Sequence, residues 1–149
     1  MEADTTPGRT EITISTTIRC PIAKVWQFWT QPNHITRWNF ASDEWHCPSA
    51  VNDLRPGGTL DWRMEAKDGS MGFDYTGTYD EIRPKEIISY QIADGRKVTI
   101  NFQSVGSETR VKETFEMDNT HPEDIQRNGW QSILDNFKKY AESASEKTN

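Results

Sequence analysis

The middle of the chain consists of short runs in which apolar and polar residues alternate, and turn motifs separate the runs. In residues 59–66, TLDWRMEA, the apolar side chains occupy alternate positions. Successive side chains of a β-strand point to opposite faces, so this pattern predicts strands with one buried face. Comparable runs occupy residues 71–82, 86–93, 97–105 and 109–117. Tight turns join antiparallel neighbours, so these runs predict an antiparallel meander.

Turn motifs mark the ends of these runs. Asp68-Gly69 and Asp94-Gly95 are typical of hairpin turns. Residues 55–58, RPGG, predict a bend before residue 59. Residues 44–54, EWHCPSAVNDL, form a less regular run, which we interpret as one further strand.

Helical spacing occurs on both sides of the meander. A first strand, residues 11–18, is followed by apolar residues at helical spacing from Ile22 to Trp29, and Pro32 should end that helix. Residues 33–40 predict a second short helix with Asn33 as its cap.

A long helix is predicted after Pro122. Its apolar stripe comprises Ile125, Trp130, Ile133, Leu134, Phe137, Tyr140, Ala141 and Ala144. Gly129 lies on the same stripe, where the absence of a side chain should let a bulky group or another backbone approach closely.

The predicted fold is α+β, with element order β-α-α-β6-α. One helix is about 10–12 Å wide, and seven strands spaced about 4.8 Å apart are much wider, so the sheet must curl around the last helix. We expect one domain over residues 10–143, a disordered lead-in at residues 1–9 and a frayed tail at residues 144–149.

The charge and composition argue against several classes of function. The net charge is −6 and no cluster of Lys and Arg is present, so no nucleic-acid partner is expected. No apolar run approaches the roughly 18 residues of a membrane span, and the first residues do not read as a secretory signal, so the expected location is cytoplasmic. Two cysteines and three scattered histidines lack metal-site spacing, and neither a metal nor another cofactor is expected.

Several segments, in this order, resemble a known family. They are PIAKVWQFWTQPNHITRW, DLRPGGTLDWRMEAKDGSMGFDYTGTYDEIRP, ISYQIADGRKVTINF, TRVKETFEM and GWQSILDNFKKY. The Pro-Gly-Gly turn, the Gly-x-Tyr-x-x-Ile-x-Pro run and the Gly-Trp of the last helix are the most diagnostic. The chain is similar to the single-domain form of the activator of heat-shock protein 90 ATPase homologue family. That family lies within the START-like superfamily, together with polyketide cyclases and the birch-pollen-allergen family.

The resemblance implies the helix-grip fold and an internal cavity for apolar molecules such as lipids, sterols or polyketides. Some members of the superfamily catalyse cyclisation or hydration, but their catalytic residues have no recognisable counterparts in this sequence. The eukaryotic co-chaperone carries a further N-terminal domain that binds the chaperone, and these 149 residues show no counterpart to it. A chaperone partner is therefore the less favoured expectation.

Glu113 is the one residue that breaks the pattern of the last strand. Parity places its carboxylate on the inward face with Val111 and Phe115. Three interpretations remain open: a bulge turns Glu113 outward, protein donors satisfy it inside the core, or it is the polar anchor of a cavity. In the last case it could also act as a general acid or base, which is the only basis for predicting an enzyme of cyclase or hydrolase type. No catalytic residue is assigned.

We therefore expect a binding protein for a small hydrophobic or aromatic molecule, acting as a monomer or homodimer. The predicted cavity lining comprises Trp62, Met64, Phe73, Tyr75, Phe102, Glu113 and Phe115 from the sheet, Trp130, Leu134 and Phe137 from the helix, and Trp38, Phe40 and Trp45 at the mouth.

Overall fold

Seven strands form one antiparallel sheet in the computed structural model of the chain, which describes residues 10–147. The elements are β1 (Glu11–Ile18), α1 (Ile22–Thr30), α2 (Pro32–Ile35), β2 (Trp45–Asn52), β3 (Thr59–Ala66), β4 (Gly72–Arg83), β5 (Ile87–Ile92), β6 (Lys97–Val105), β7 (Glu108–Glu116) and α3 (Glu123–Lys147). The strand order is β1-β7-β6-β5-β4-β3-β2, and the sheet curls around α3. The predicted helix-grip architecture is confirmed. The predicted lead-in, residues 1–9, and the last two residues of the predicted tail lie outside the described residues.

The alternation in β7 decides which side chains enter the core. Val111, Glu113 and Phe115 are buried, whereas the residues between them are more exposed. Because β7 lies between β1 and β6, the backbone of Glu113 is opposite Ile14 on one side and Ile100 on the other. The inward position predicted for Glu113 is thus confirmed, and the interpretation in which a bulge turns it outward is wrong.

The apolar stripe of α3 fills the inside of the curled sheet. Leu134, Phe137 and Ala141 are fully buried there. The ring of Phe137 meets the rings of Trp29 and Trp38, with centroids 4.8 Å apart in each case. Aromatic contacts of this kind stabilise a core beyond simple area burial, and here they join α3 to α1 and to the segment that follows α2.

Two details of α3 differ from the sequence-based expectation. Ile125, assigned to the apolar stripe, is 58% exposed. It lies in the first turn of the helix, before α3 enters the sheet. No close approach occurs at Gly129 either, since a Cβ built there would meet no atom within 4 Å. The glycine is therefore not required by packing.

The second short helix is also shorter than predicted and begins earlier. It spans Pro32–Ile35 and is preceded by Gln31, so the prediction of Asn33 as its cap is wrong. Proline is well suited to the first position of a helix, where no N–H partner is needed and the ring holds a helical φ. Pro32 therefore starts α2, while α1 ends at Thr30.

Candidate ligand-binding pocket

A pocket of about 290 Å³ lies between the inner face of the sheet and the first half of α3. We call it the aromatic pocket. Its walls comprise Trp29, Trp38, Asn39, Trp62, Met64, Phe73, Tyr75, Tyr90, Arg96, Glu113, Asp118, Gln126, Trp130 and Ile133. Phe73 is 49% exposed, so the pocket is open to solvent beside it.

The aromatic walls follow from strand register. Trp62 on β3 is directly opposite Tyr75 on β4, and their rings stack with centroids 5.6 Å apart. From the helix side, the indole of Trp130 lies edge-on to Tyr75. One face of that indole is covered by Phe115, with ring centroids 4.0 Å apart and planes 9° from parallel. Only the other face and the edge of Trp130 are therefore available to a ligand.

Two tyrosine hydroxyls meet at the pocket wall. The hydroxyl oxygens of Tyr75 and Tyr90 are 2.9 Å apart. Burial raises the pKa of both phenols, so both keep their protons across the neutral range. One O–H donates to the other hydroxyl, and the second O–H has no acceptor among the residues that the structure describes.

Gly77 makes room for Tyr90 beside β4. A Cβ at this position would lie 2.7 Å from the backbone oxygen of Gln91 and 3.2 Å from the Tyr90 ring. Such distances are too short for unstrained packing, so a side chain at Gly77 would displace β5 or the Tyr90 ring. The glycine that carries the family resemblance thus has a local role in positioning the tyrosine pair.

Glu113 is the most unusual group in the pocket. Its side chain is 6% exposed, and within residues 10–147 it makes no hydrogen bond or ion pair. Burial raises the pKa of its carboxyl group from 4.5 to about 8. At neutral pH the carboxyl group therefore holds its proton for most of the time, and it offers a ligand both a donor and an acceptor.

Two further polar groups of the wall lack protein partners. In the described part of the chain, the indole nitrogen of Trp62 is the only buried, water-inaccessible side-chain polar atom without a hydrogen-bond partner. The amide nitrogen of Asn39 lies 3.4 Å from the sulfur of Met64, while the amide oxygen accepts no hydrogen bond from a described residue. Buried polar groups are normally paired, so the unpaired oxygens of Glu113 and Asn39 at one pocket indicate a site that a ligand could complete, whereas the Trp62 nitrogen is closed off from the pocket in this conformation.

Charged side chains occupy one end of the pocket. The Nε of Arg96 donates to Asp94 at 2.8 Å, and its Nη1 lies 4.0 Å from Asp118. Burial raises the pKa of Asp118, but hydrogen bonds from Thr120 and His121 outweigh burial and lower it to about 2. The guanidinium of Arg96 thus lies against two carboxylates.

The structure brings only part of the predicted lining to the pocket. The predicted residues that line the pocket are Trp38, Trp62, Met64, Phe73, Tyr75, Glu113 and Trp130. The predicted residues that do not line the pocket are Phe40, Trp45, Phe102, Phe115, Leu134 and Phe137.

The residues that do not line the pocket have identifiable positions. Phe102 packs on Trp26 and Trp29 in the core. Phe115, Leu134 and Phe137 are fully buried in the core, and the indole of Trp130 covers the ring of Phe115.

Phe40 and Trp45 lie nearer the surface. Phe40 lines a separate surface groove beside α3, where its carbonyl oxygen is 3.5 Å from the amide nitrogen of Asn136. Trp45 contacts the ring of Phe73 at the pocket rim.

Sequence reasoning omitted Trp29, Asn39, Tyr90, Arg96, Asp118, Gln126 and Ile133 from the lining. The alternation in β5 was a usable signal for Tyr90, as was helical spacing for Trp29 and Ile133. No local signal identifies Arg96, Asp118 or Gln126, which reach the pocket from a turn, a loop and a helix start.

Gln126 holds the loop before α3 in place. Its amide nitrogen donates to the backbone oxygens of Asp118 and His121, and its amide oxygen accepts from the N–H of Asp118. Because all of these bonds are internal, Gln126 positions Asp118 at the pocket and is itself satisfied.

The described residues form neither a metal cluster nor a membrane-spanning helix. Among residues 10–147, no group of three or more His, Cys, Asp and Glu side chains is arranged to hold a metal ion. Over the same residues, no helix is long and apolar enough to cross a membrane.

Comparisons with known proteins support one family. The model of the family described as Activator of Hsp90 ATPase homolog 1-like protein matches residues 19–142. No curated protein matches the chain. The solution structure of an AHSA1-like protein from Aeromonas hydrophila is 43% identical and has a TM-score of 0.86, with 91% of this chain and 94% of that chain covered.

Two further solved structures are similar. A protein from Cytophaga hutchinsonii is 47% identical with a TM-score of 0.78, over 91% of this chain and 94% of that one. The Aha1 dimer from Colwellia psychrerythraea is 15% identical with a TM-score of 0.69, over 89% of this chain and 96% of that one. At that identity the likeness concerns the fold alone.

Proposed function

This chain belongs to the family of Activator of Hsp90 ATPase homolog 1-like proteins, and we propose that it binds a small, largely apolar or aromatic molecule in the aromatic pocket. The observation that carries the proposal is Glu113, a carboxyl group that is 6% exposed among aromatic rings and has no partner among the described residues. Burying an unpaired polar group is unfavourable, and a ligand that pairs with it recovers part of that free energy. Mainly apolar walls with a few unpaired polar groups are typical of small-molecule sites.

The volume limits the size of the ligand. Small-molecule pockets usually measure about 300–1,000 Å³, and 290 Å³ lies at the lower end. Within the proposal, a molecule of one or two rings therefore fits better than a sterol or a long-chain lipid.

The other two functions considered from the sequence have less support. Catalysis by Glu113 would need a partner that holds or relays its proton, and no described side chain forms a hydrogen bond with the carboxyl group. A co-chaperone role rests on the family description alone.

The proposal includes a cytoplasmic location and a monomer or homodimer. The free cysteines Cys20 and Cys47 are compatible with a reducing compartment. Light scattering of the purified chain would determine its oligomeric state.

Titration with neutral aromatic probes tests the proposal. Naphthalene and indole added to the isotopically labelled protein should shift amide and indole NMR signals of Trp62, Tyr90 and Trp130. Phe73→Ala, at the open end of the pocket, should weaken binding. The matched control is Ile125→Ala, which removes a similarly exposed apolar side chain that does not line the pocket. Shifts that spread over the surface, or no shifts at millimolar indole and saturating naphthalene, would contradict the proposal.

A further inference from the structure

The aromatic rings of the pocket meet at steep angles. The planes of Tyr75 and Tyr90 are 89° apart, and those of Tyr75 and Trp130 are 72° apart. Tyr75 and Tyr90 lie on the neighbouring strands β4 and β5 of the sheet, whereas Trp130 faces Tyr75 from α3, so the pocket has aromatic rings on its sheet side and on its helix side. Aromatic rings arranged in this way attract a cation through their negative faces, and quaternary ammonium groups are commonly bound in such surroundings.

The charged groups around the pocket also favour a cationic ligand over an anionic one. Its lining contains two carboxyl groups, Glu113 and Asp118, and one guanidinium, Arg96. Arg96 is already held by Asp94 and Asp118, which leaves it poorly placed to bind an anionic ligand. A cation in the pocket would also be favoured by the net charge of −6 on the whole chain.

Glu113 is the group whose negative charge a cationic ligand would balance. Its carboxyl group is more than nine-tenths buried and lies at the pocket wall, and Tyr75 and Tyr90 are close enough for its charge to raise their pKa values. Neither tyrosine donates to it, and no described Lys, Arg or His forms an ion pair with it. An ionised Glu113 therefore lacks a positive partner in the protein.

We infer that the ligand of the aromatic pocket is an organic cation, a small apolar molecule with a quaternary or protonated amine, whose charge lies between the aromatic rings and the carboxylate of Glu113. This inference rests on the proposed function and specifies the chemical class of its ligand. The rings supply cation–π attraction and the carboxylate supplies the counter-charge.

The inference requires a particular pH dependence. A cation binds best when Glu113 is ionised, so binding should release a proton and strengthen as the pH rises towards 8. The other groups around Glu113 do not produce this dependence. Tyr75 and Tyr90 stay protonated, and Asp118 stays ionised.

The other residues near Glu113 are uncharged, except for His121, whose effect on the pH dependence can be tested with a variant. Ile14 and Ile100 flank it in the sheet, and Gln126 and Trp130 approach from α3. His121 contacts Asp118 from the same loop, at 3.1 Å, and a His121→Gln variant isolates its effect.

Two probes of the same shape test the inference. Phenyltrimethylammonium and tert-butylbenzene differ in charge but hardly in size, and the quaternary nitrogen has no proton to lose. NMR titrations between pH 6 and pH 9 should show the cation binding more tightly. Its affinity should rise about tenfold or more from pH 6 to pH 8, and that of tert-butylbenzene should not.

Glu113→Gln removes the counter-charge while keeping the shape of the side chain. At pH 8 it should weaken cation binding by about ten- to a hundredfold and leave tert-butylbenzene binding unchanged. Glu81→Gln is the matched control, because Glu81 pairs with Arg83 and does not line the pocket. If Glu113→Gln does not fold, the pH dependence of the unaltered protein still decides the question.

Three results would overturn the inference. Equal or tighter binding of tert-butylbenzene at pH 8 would do so while leaving the proposed function intact. Cation binding that does not change with pH, or survives in Glu113→Gln, would also exclude the role of Glu113. Binding of neither probe would count against the inference and the proposed function together.

Discussion

Replacing Glu113 by glutamine should stabilise the ligand-free protein, and the gain should grow with pH. In the folded protein burial raises the pKa of Glu113 from 4.5 to about 8. Between these two values the unfolded chain has released the proton that the folded chain still holds. Because the unfolded state binds fewer protons, the stability of the unaltered protein falls as pH rises through this window. Below pH 4.5 both states are protonated and this loss disappears.

The size of the effect follows from the two pKa values. One pKa unit corresponds to about 1.4 kcal/mol, so the difference between 4.5 and about 8 corresponds to about 5 kcal/mol of unfolding free energy at pH 8 and above. Glutamine has a similar shape and does not ionise. The variant should thus match the unaltered protein near pH 4.5 and exceed it by about 3 kcal/mol near pH 7.

Urea unfolding at intervals from pH 5 to pH 9 measures this effect. The informative quantity is the difference in unfolding free energy between the variant and the unaltered protein, since other titrating groups cancel in it. Glu81→Gln, which removes a carboxylate from the outer surface, should show no such slope. A difference for Glu113→Gln that stays constant with pH would refute a buried, unpartnered carboxyl group. A difference that shrinks with pH would indicate a cationic partner.

Three further predictions concern the packing. Gly129→Ala should raise the unfolding free energy by about 0.5–1 kcal/mol, because the new methyl group meets no atom within 4 Å and alanine favours a helix interior; a loss would mean that the space is filled. Gly77→Ala should lower the unfolding free energy by about 1–3 kcal/mol, because the new Cβ would lie 2.7 Å from the backbone oxygen of Gln91. It should also shift the NMR signals of Tyr90, and an unchanged spectrum would contradict this. Trp38→Phe should destabilise the protein more than Trp62→Phe by about 1–3 kcal/mol in urea unfolding. Of these two indoles only that of Trp38 donates a hydrogen bond, to the backbone oxygen of Phe28 at 2.9 Å, and equal losses would count against that hydrogen bond.

Local periodicity was enough to predict the strands, the long helix and the inward position of Glu113. It was not enough for the second helix. Pro32 can end one helix or begin another, and local sequence does not choose between them. Ile125 and Gly129 show the same limit, because apolar spacing does not reveal where a helix enters the core or how close its neighbours come.

Which residues line the pocket depends on the distances between separate elements. Phe115 and Trp130 were both assigned to it, yet Phe115 lies behind the indole of Trp130 and only the latter reaches the pocket. Arg96 and Asp118 had no local pattern to mark them. They meet because the turn after β5 and the loop before α3 end on the same side of the sheet.

By itself the sequence determined that this chain forms a curled antiparallel sheet around a long helix, with one carboxyl group on the inner face. It did so because strand and helix periods are local properties that show in a few consecutive residues. Only the tertiary structure decided that Glu113 has no partner there. That outcome depends on Tyr75 and Tyr90 bonding to each other and on Arg96 being held by aspartates, and such pairings form only when separate elements pack together.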